Sequence, residues 1–228
     1  MSKRALLFYG GWEGHEPTQV AGYLQTVLTE EGFEVELSDS LSVLEEVDLS
    51  RYDLIIPNWT QGTIPDQALQ ALMKAVEGGV GLAGLHGGMG DSFRMSTDYQ
   101  FMVGGQWVAH PGNDGIRYTV HIINDTDPLT DGMSDFEVIS EQYYMHVDPA
   151  VTIHATTSFP IAEGPHSGNG PIDMPVVWTK KWGKGNVYYC SLGHVLEIVK
   201  MPEVTELMRK GMVWAARSEK PVEREVRS

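Results

Sequence analysis

The sequence predicts an α/β fold of three layers, in which helices cover both faces of a mostly parallel sheet. Three observations lead to this prediction. Short apolar runs alternate with amphipathic helical patterns through the first half of the chain, which is typical of βαβ units. The run GGVGLAGLHGG, from Gly78 to Gly88, indicates a buried strand that ends in a sharp turn at His86. The chain then closes with an amphipathic helix from Glu203 to Ala216.

The first half of the chain predicts the parallel core of this sheet. Its strands are the apolar or alternating runs Arg4 to Tyr9, Phe33 to Leu37, Asp53 to Pro57 and Val80 to Leu85. A helix from Pro17 to Glu31 places apolar side chains on one face, and Gly32 ends it. A second helix begins at Pro65, because proline suits the first turn of a helix.

The second half is less regular and is richer in predicted strands. These are Ile116 to Ile123, Phe136 to Ser140, Val151 to Ala155, Pro175 to Thr179 and Asn186 to Leu192. Clusters of Asn, Asp, Gly and Pro separate them, and these residue types favour turns. We expect a single domain over residues 1–218, followed by a charged tail at residues 219–228.

Composition narrows the class of protein. The 228 residues, 42% of them hydrophobic, suffice to bury the core of one domain. The formal charge of −15 disfavours nucleic acid and anionic membranes as partners, since both attract clustered cations. No run reaches the roughly 20 apolar residues of a membrane span, and the apolar stretch Ala5 to Tyr9 is interpreted as part of the first strand and not as a signal peptide. A lone cysteine, Cys190, excludes an internal disulfide and is expected to be buried in a soluble, cytoplasmic protein.

Histidines follow several of the predicted strands. His15 lies in GGWEGH behind the first strand, His86 ends the fourth, and His194 ends NVYYCSLGH. His110 lies in GGQWVAHPG, and Glu141 follows a further strand in SEQYYMHVDP. Because ligands bind at the carboxyl ends of parallel strands, we expect these side chains to converge there. Three histidines and a carboxylate suit Zn, Mn, Ni or Fe(II), so His86, His110, Glu141 and His194 are the predicted metal ligands.

Each of these residues also has a structural interpretation. A histidine at a turn can cap a helix or donate to a backbone carbonyl, and Glu141 can accept a hydrogen bond from a neighbouring tyrosine. His121 and His154 lie in alternating strands, where exposed strand residues are more common than ligands. His166 lies in a glycine-rich loop, where substrate contact and solvation stay equally open. No HxH or HExxH spacing supports a metal site on its own.

Aromatic residues lie on the same loops as the histidines. Trp12, Trp59, Trp107 and Tyr143 have flat faces that suit stacking on a sugar ring, although the same rings can cover the core. Together with His15 they are the predicted substrate-binding residues. No nucleotide or flavin is expected, because GGWEGH is neither a P-loop nor a dinucleotide fingerprint and lacks a Ser/Thr-rich phosphate cradle. The last helix bears Met and Trp residues, which leaves a homo-oligomer open.

Taken together, several ordered segments resemble the ThuA-like family, the trehalose-utilisation relatives of class I glutamine amidotransferases. They are GGWEGH, GGVGLAGLHGG, GGQWVAHPG, SEQYY and GNVYYCSLGH, and the resemblance covers about residues 4 to 216. It implies a flavodoxin-like α/β sandwich of the amidotransferase type. It also implies carbohydrate catabolism, beside dehydrogenases that oxidise a glycoside to its 3-keto form.

The resemblance also implies roles by position. His86 stands where the amidotransferases carry a nucleophilic cysteine, and His194 stands where they carry the triad histidine. Glu141 and Tyr143 match the family's Asp-Glu-x-Tyr motif, except that Ser140 replaces the aspartate. Without the cysteine no thioester can form, so we expect no glutaminase activity.

The expected function is that of a carbohydrate-catabolic enzyme acting on an oxidised sugar such as a 3-keto-glycoside. A ketone acidifies the neighbouring C–H bonds, so a base can remove a proton while a divalent cation stabilises charge on oxygen. His86, His194 and Glu141 are the predicted catalytic residues, and isomerisation, epimerisation, elimination and hydrolysis all stay open. The alternatives are a metal-free acid/base hydrolase and a non-catalytic domain that binds a sugar or a protein partner.

Overall fold

A computed structural model describes residues 2–123 and 126–218. Its strands are β1 Lys3–Gly11, β2 Phe33–Ser38, β3 Leu54–Thr60, β4 Gly81–Leu85, β5 Gly105–Ala109, β6 Ile116–Ile122, β7 Phe136–Ser140, β8 Tyr144–Val147, β9 Thr152–Phe159, β10 Ile172–Trp182 and β11 Gly185–Cys190. Its helices are α1 Pro17–Glu30, α2 Val43–Glu46, α3 Asp66–Glu77, α4 His86–Gly90, α5 Thr97–Val103, α6 Leu196–Val199 and α7 Pro202–Ala215. The predicted charged tail, residues 219–228, lies outside the described residues.

A nine-stranded sheet forms the middle layer, in the order β2-β1-β3-β4-β11-β10-β9-β6-β7. The strands from β2 to β11 in this order pair in parallel. The remaining strands extend the sheet by antiparallel pairs, so that only β10 and β6 run against the direction of the others in this described sheet. The predicted α/β fold with a mostly parallel sheet is therefore confirmed.

Both faces of the sheet are covered by helices. In β1, Ala5 and Leu7 pack into a core shared with α1 and α7, whereas Leu6 and Phe8 pack into a core shared with α2, α3 and α5. Successive side chains of a strand point to opposite faces, so a strand buried on both sides is apolar throughout. This pattern gives the three layers that the apolar runs predict.

Six short elements escape the sequence prediction: β5, β8, α2, α4, α5 and α6. β5 and β8 form a separate antiparallel pair, and α5 precedes them. β5 and β8 are short and lack a clean alternation of apolar and polar residues, and α5 spans fewer than two helical turns. β9 and β10 also extend further than predicted, to Phe159 and Trp182. The predicted regular elements are otherwise present, with ends that shift by a few residues.

Two histidines of the antiparallel strands differ in burial. His121 is partly exposed and its Nδ1 lies 2.8 Å from Asp135 Oδ2. His154 is buried, so the expectation of an exposed strand position was wrong for it. Its Nε2 lies 2.9 Å from Thr179 Oγ1 and its Nδ1 lies 3.5 Å from Asp127 Oδ2. The neighbouring strand β10 and the loop after β6 supply these partners, which offset the free-energy cost of burying the polar ring.

The single cysteine and the helices agree with the composition. Cys190 is fully buried on β11, as expected, and burial raises the pKa of its thiol to about 12. Within the described ranges, no helix is both long and apolar enough to cross a lipid bilayer.

The packing of α7 on the sheet can be tested at a glycine. A Cβ added at Gly211 would lie 2.2 Å from ring atoms of Tyr188. We expect Gly211→Ala to lower the free energy of unfolding by about 1–3 kcal/mol, because the ring or the helix must shift. Gly22, on α1, has nothing within 4 Å of such a Cβ. The matched variant Gly22→Ala should gain up to about 1 kcal/mol through helix propensity.

Urea unfolding of both variants measures the two free energies. A Gly211→Ala protein as stable as Gly22→Ala would contradict the close contact between α7 and Tyr188.

Candidate metal centre

Four donor side chains converge at the carboxyl edge of the parallel strands. His15 follows β1, His86 follows β4, His194 follows β11, and Glu141 follows β7. One ligand atom from each lies within 4.8 Å of the others, and all four residues are buried. We call these four residues the donor group. The convergence expected from the strand ends is therefore present, with Glu141 reaching it from the antiparallel side of the sheet.

His86 is the first residue of α4 and lies at the sharp turn that directly follows β4. Its φ of 42° is in the left-handed region, which costs a non-glycine residue roughly 1–2 kcal/mol. The glycines that follow allow close approach: a Cβ at Gly87 would lie 2.5 Å from the His15 ring, and one at Gly88 would lie 2.4 Å from Asn58 Oδ1. The turn thus brings the His86 ring against its neighbours at a local cost in backbone energy.

Hydrogen bonds decide which nitrogen of His86 faces the donor group. Nδ1 lies 2.8 Å from the carbonyl oxygen of Ser191, which can only accept, so Nδ1 carries a proton and donates it. Nε2 then faces Glu141 Oε2 at 3.1 Å. Burial lowers the pKa of His86, which favours the neutral ring. In that ring the Nε2 lone pair points at a carboxylate oxygen, and a proton or a metal cation between the two atoms relieves the repulsion.

The other two imidazoles are oriented differently. Nδ1 of His15 lies 2.8 Å from Thr60 Oγ1, so its Nε2 is the nitrogen available to a cation. Burial, with the neighbouring His86 and His194, lowers the pKa of His15 to about 3, and a neutral imidazole is the form that binds metals. Nδ1 of His194 lies 3.3 Å from Glu141 Oε2 without the alignment of a hydrogen bond. The Glu141 carboxylate raises the pKa of His194.

Glu141 supplies the negative charge of the donor group. Burial opposes its ionisation, but a proton held between Oε2 and the facing nitrogens of His194 and His86 outweighs burial and holds the pKa of the Glu141 carboxyl well below its usual range. Its backbone carbonyl accepts a hydrogen bond of 2.9 Å from the Tyr118 hydroxyl, which fixes the segment after β7. Three imidazoles and one carboxylate, with an orphaned ring nitrogen at His194, fit a borderline divalent cation such as Zn²⁺, Mn²⁺ or Ni²⁺.

His110 lies beside the donor group and not within it. Its Nε2 is 3.7 Å from Glu141 Oε1, whereas the contacts with His86 and His194 are made by Oε2, and its side chain is 28% exposed. The sequence placed His110 among the ligands and His15 among the substrate contacts, whereas the structure brings His15 into the donor group. Whether either ring binds a metal stays a prediction.

The predicted substrate-binding aromatics border the donor group to different degrees. Trp12 is 48% exposed and meets the His15 ring edge-on, with centroids 4.7 Å apart. Trp107 is tilted against His110 at 5.4 Å, and Tyr143 is buried and stacks on His86 at 4.0 Å. The half-buried Trp59 instead packs where a Cβ on Gly10 or Gly62 would sit.

Sequence reasoning missed the residues that hold these side chains. Thr60, which contacts His15, ends β3 in the run NWTQG, and a hydroxyl residue at a strand end is the signal that indicates it. Arg94, which contacts Trp107, has no sequence signal that indicates its role. Its guanidinium donates to both oxygens of Asp91, at 2.6 and 2.8 Å, and stacks on Trp107 at 4.6 Å from the ring centroid.

Comparison with known proteins settles the relationship of the chain. The ThuA family, described as trehalose utilisation, matches residues 4–215. The chain belongs to the ThuA family. The matched residues, 4–215, nearly coincide with the residues 4 to 216 over which the sequence motifs resemble the family. No curated protein matches the chain significantly.

Solved structures show that the ThuA fold is shared. A ThuA-like protein from Bacteroides uniformis is 19% identical, with a TM-score of 0.74 over 93% of this chain and 91% of that chain. A ThuA-like protein from Parabacteroides merdae is 16% identical, with a TM-score of 0.74 over 97% and 93%. A cytoplasmic protein from Salmonella typhimurium is 12% identical, with a TM-score of 0.63 over 94% and 99%. At these identities the likeness concerns the fold alone.

Removal of one donor tests the metal-binding capacity of this ThuA-family chain. We expect the untagged protein to take up one divalent cation per chain from Zn²⁺, Mn²⁺ or Ni²⁺, measured by mass spectrometry after gel filtration. His86→Ala should weaken binding by more than the about 10–100-fold that loss of a supporting residue causes, because it removes a donor itself.

His146→Ala is the control, since it makes the same substitution at an exposed histidine on β8. Stoichiometric metal in a folded His86→Ala protein would show that the donor group does not bind it.

Proposed function

We propose that this chain is an enzyme of carbohydrate catabolism that acts on an oxidised sugar such as a 3-keto-glycoside, with a divalent cation held by the donor group. The observation that carries this proposal is the convergence of three imidazoles and a carboxylate within 4.8 Å at the carboxyl edge of the sheet. The family's description as trehalose utilisation supports a sugar as the substrate.

The side chains of the donor group, all of them buried, are suited to holding a cation. His86 is 1% exposed and its Nδ1 already donates to Ser191, so only Nε2 remains for a ligand. The Thr60 contact orients His15 in the same way. A bound divalent cation would supply a Lewis acid that polarises the substrate carbonyl and stabilises negative charge on its oxygen.

His110 is the residue that we assign to proton transfer. It is more exposed than the donor group and lies on the Oε1 side of Glu141, so a neutral His110 ring can reach a substrate held beside the cluster. It would remove the proton next to the ketone, and the carboxylate of Glu141 at 3.7 Å would then stabilise the imidazolium. Loss of a proton from the carbon between the ketone and the anomeric carbon also permits elimination: a double bond forms between these two carbons, the anomeric C–O bond breaks, and the departing oxygen takes the proton from the His110 imidazolium.

The surroundings favour a neutral sugar. Trp12 and Trp107 offer aromatic faces beside the histidines, and such faces suit the apolar side of a sugar ring. A net charge of −15 disfavours an anionic substrate. We propose the cytoplasm as the location, which a single unpaired, buried Cys190 suits and which the description of the Salmonella neighbour parallels.

A metal-free acid/base enzyme is the second candidate. It is favoured by the contacts of Glu141 Oε2 with His86 at 3.1 Å and His194 at 3.3 Å, where a shared proton can replace a cation. In that case His86 and His194 would form the acid/base pair with Glu141, and chelators would leave the rate unchanged.

Exchange of carbon-bound hydrogen tests the proposal directly. We expect the metal-loaded protein in D₂O to incorporate deuterium next to the ketone of a 3-keto-glucoside, observed by proton NMR. A chelator should abolish exchange, and His110→Ala should slow it by about 10²–10⁴-fold, the usual contribution of a positioned acid or base.

His146→Ala should exchange at the wild-type rate, because that exposed residue lies outside the donor group. Exchange that survives the chelator would favour the metal-free candidate. Binding of the keto-sugar without exchange or turnover would instead indicate a sugar-binding domain.

A further inference from the structure

A single carboxylate joins the two histidine loops of the donor group. Glu16 directly follows His15, and its Oε2 accepts a hydrogen bond of 2.8 Å from the backbone N–H of Leu196, two residues after His194. Glu16 and Leu196 are 180 positions apart in the chain. The rings of His15 and His194 lie 5.1 Å apart and nearly perpendicular. The Glu16 contact thus spans the gap between two members of the donor group.

On the His194 side, this contact replaces a missing cap. Leu196 is the first residue of α6, and its N-cap residue, Val195, makes no side-chain cap. The first N–H groups of a helix have no partner within the helix, so a side-chain oxygen from elsewhere satisfies one of them. Nδ1 of His194 makes no hydrogen bond, so its ring orientation depends on where the backbone of this loop lies.

On the His15 side, the backbone of Glu16 is held in an unusual conformation. Its φ of 48° is left-handed, and its carbonyl accepts the first hydrogen bond of α1, from Val20 N–H at 2.9 Å. The amide of Asn58 donates to the next carbonyl, that of Pro17, at 3.0 Å. The Glu16 side chain is partly buried, and its carboxylate contacts the loop that carries His194.

We propose that Glu16 is a positioning residue that holds the His15 and His194 loops at the spacing of the donor group. It acts through the Leu196 N–H and contributes no ligand atom. Its effect on a bound cation rests on the proposed function, whereas its effect on the two rings holds for the protein without metal.

The first test follows the imidazole rings of metal-free protein by NMR with ¹⁵N-labelled histidine. Glu16→Ala should shift the ring signals of His15 and His194 and leave those of His121 and His146 in place. Glu16→Gln should restore the wild-type positions, because its amide oxygen can accept the same hydrogen bond. Glu13→Ala is the matched control on the same turn, since the exposed Glu13 side chain is three residues away.

The second test uses cobalt(II) as a visible probe of the same variants. Glu16→Ala should weaken cobalt binding by about 10–100-fold and alter its d–d absorption, as expected for a residue that orients a ligand. Glu16→Gln and Glu13→Ala should bind like the wild type.

The outcomes separate this inference from the proposed function. Unshifted rings in Glu16→Ala, with faster amide exchange at Leu196 alone, would reduce Glu16 to a local cap and overturn the proposal. Equal shifts in Glu16→Ala and Glu16→Gln would assign the effect to charge and overturn it as well. If the ring signals shift in Glu16→Ala as expected but the wild-type protein binds no cobalt, the result would support the role of Glu16 and refute the proposed metal site. If Glu16→Ala shows shifted ring signals but binds cobalt as tightly as the wild type, Glu16 would not contribute to cation binding, which would overturn that part of the proposal.

Discussion

The structure depends on a buried carboxylate enclosed by imidazoles. Glu141 is 7% exposed, its neighbouring histidines lower the pKa of its carboxyl, and a buried charge is stable only when it is paired or bound to a metal. Its nearest neighbour, His86, already donates its Nδ1 proton to a carbonyl and is favoured as a neutral ring by burial. Without a shared proton the pair would present two lone pairs to each other across 3.1 Å, and a proton or a metal cation between the two atoms resolves that conflict.

The fold supplies this arrangement by ending parallel strands at one edge. β1, β4 and β11 each deliver a histidine to that edge, and the segment after β7 brings the carboxylate across from the antiparallel side. Three of the four donors are then fixed by a group outside the cluster: Thr60 at His15, Ser191 at His86 and Tyr118 at Glu141. Such partners set the ring tautomer and orientation of metal ligands, and the site is thus a property of several strands together.

Exposure divides the roles within the site. The donor group is buried, and hydrogen bonds at Nδ1 orient His15 and His86 within it, whereas His110 and Trp12 are more exposed to an incoming molecule. A left-handed His86 and the glycines after it are the local cost of the turn that brings the rings together. Strain at this point suits a site whose donor side chains must keep a fixed geometry.

The sequence by itself determined the α/β class, the strand that ends at His86 and the presence of histidines at strand ends, because these follow from local periodicity and turn chemistry. It also carried the motifs that place the chain in its family. Only the tertiary structure decided that His15 joins the donor group and His110 stands outside it. Both residues occupy loops, and the direction of a loop side chain depends on contacts such as Thr60 with His15, which join residues 45 positions apart in sequence. The contact of His86 with Glu141, 55 positions apart, is invisible to local patterns for the same reason.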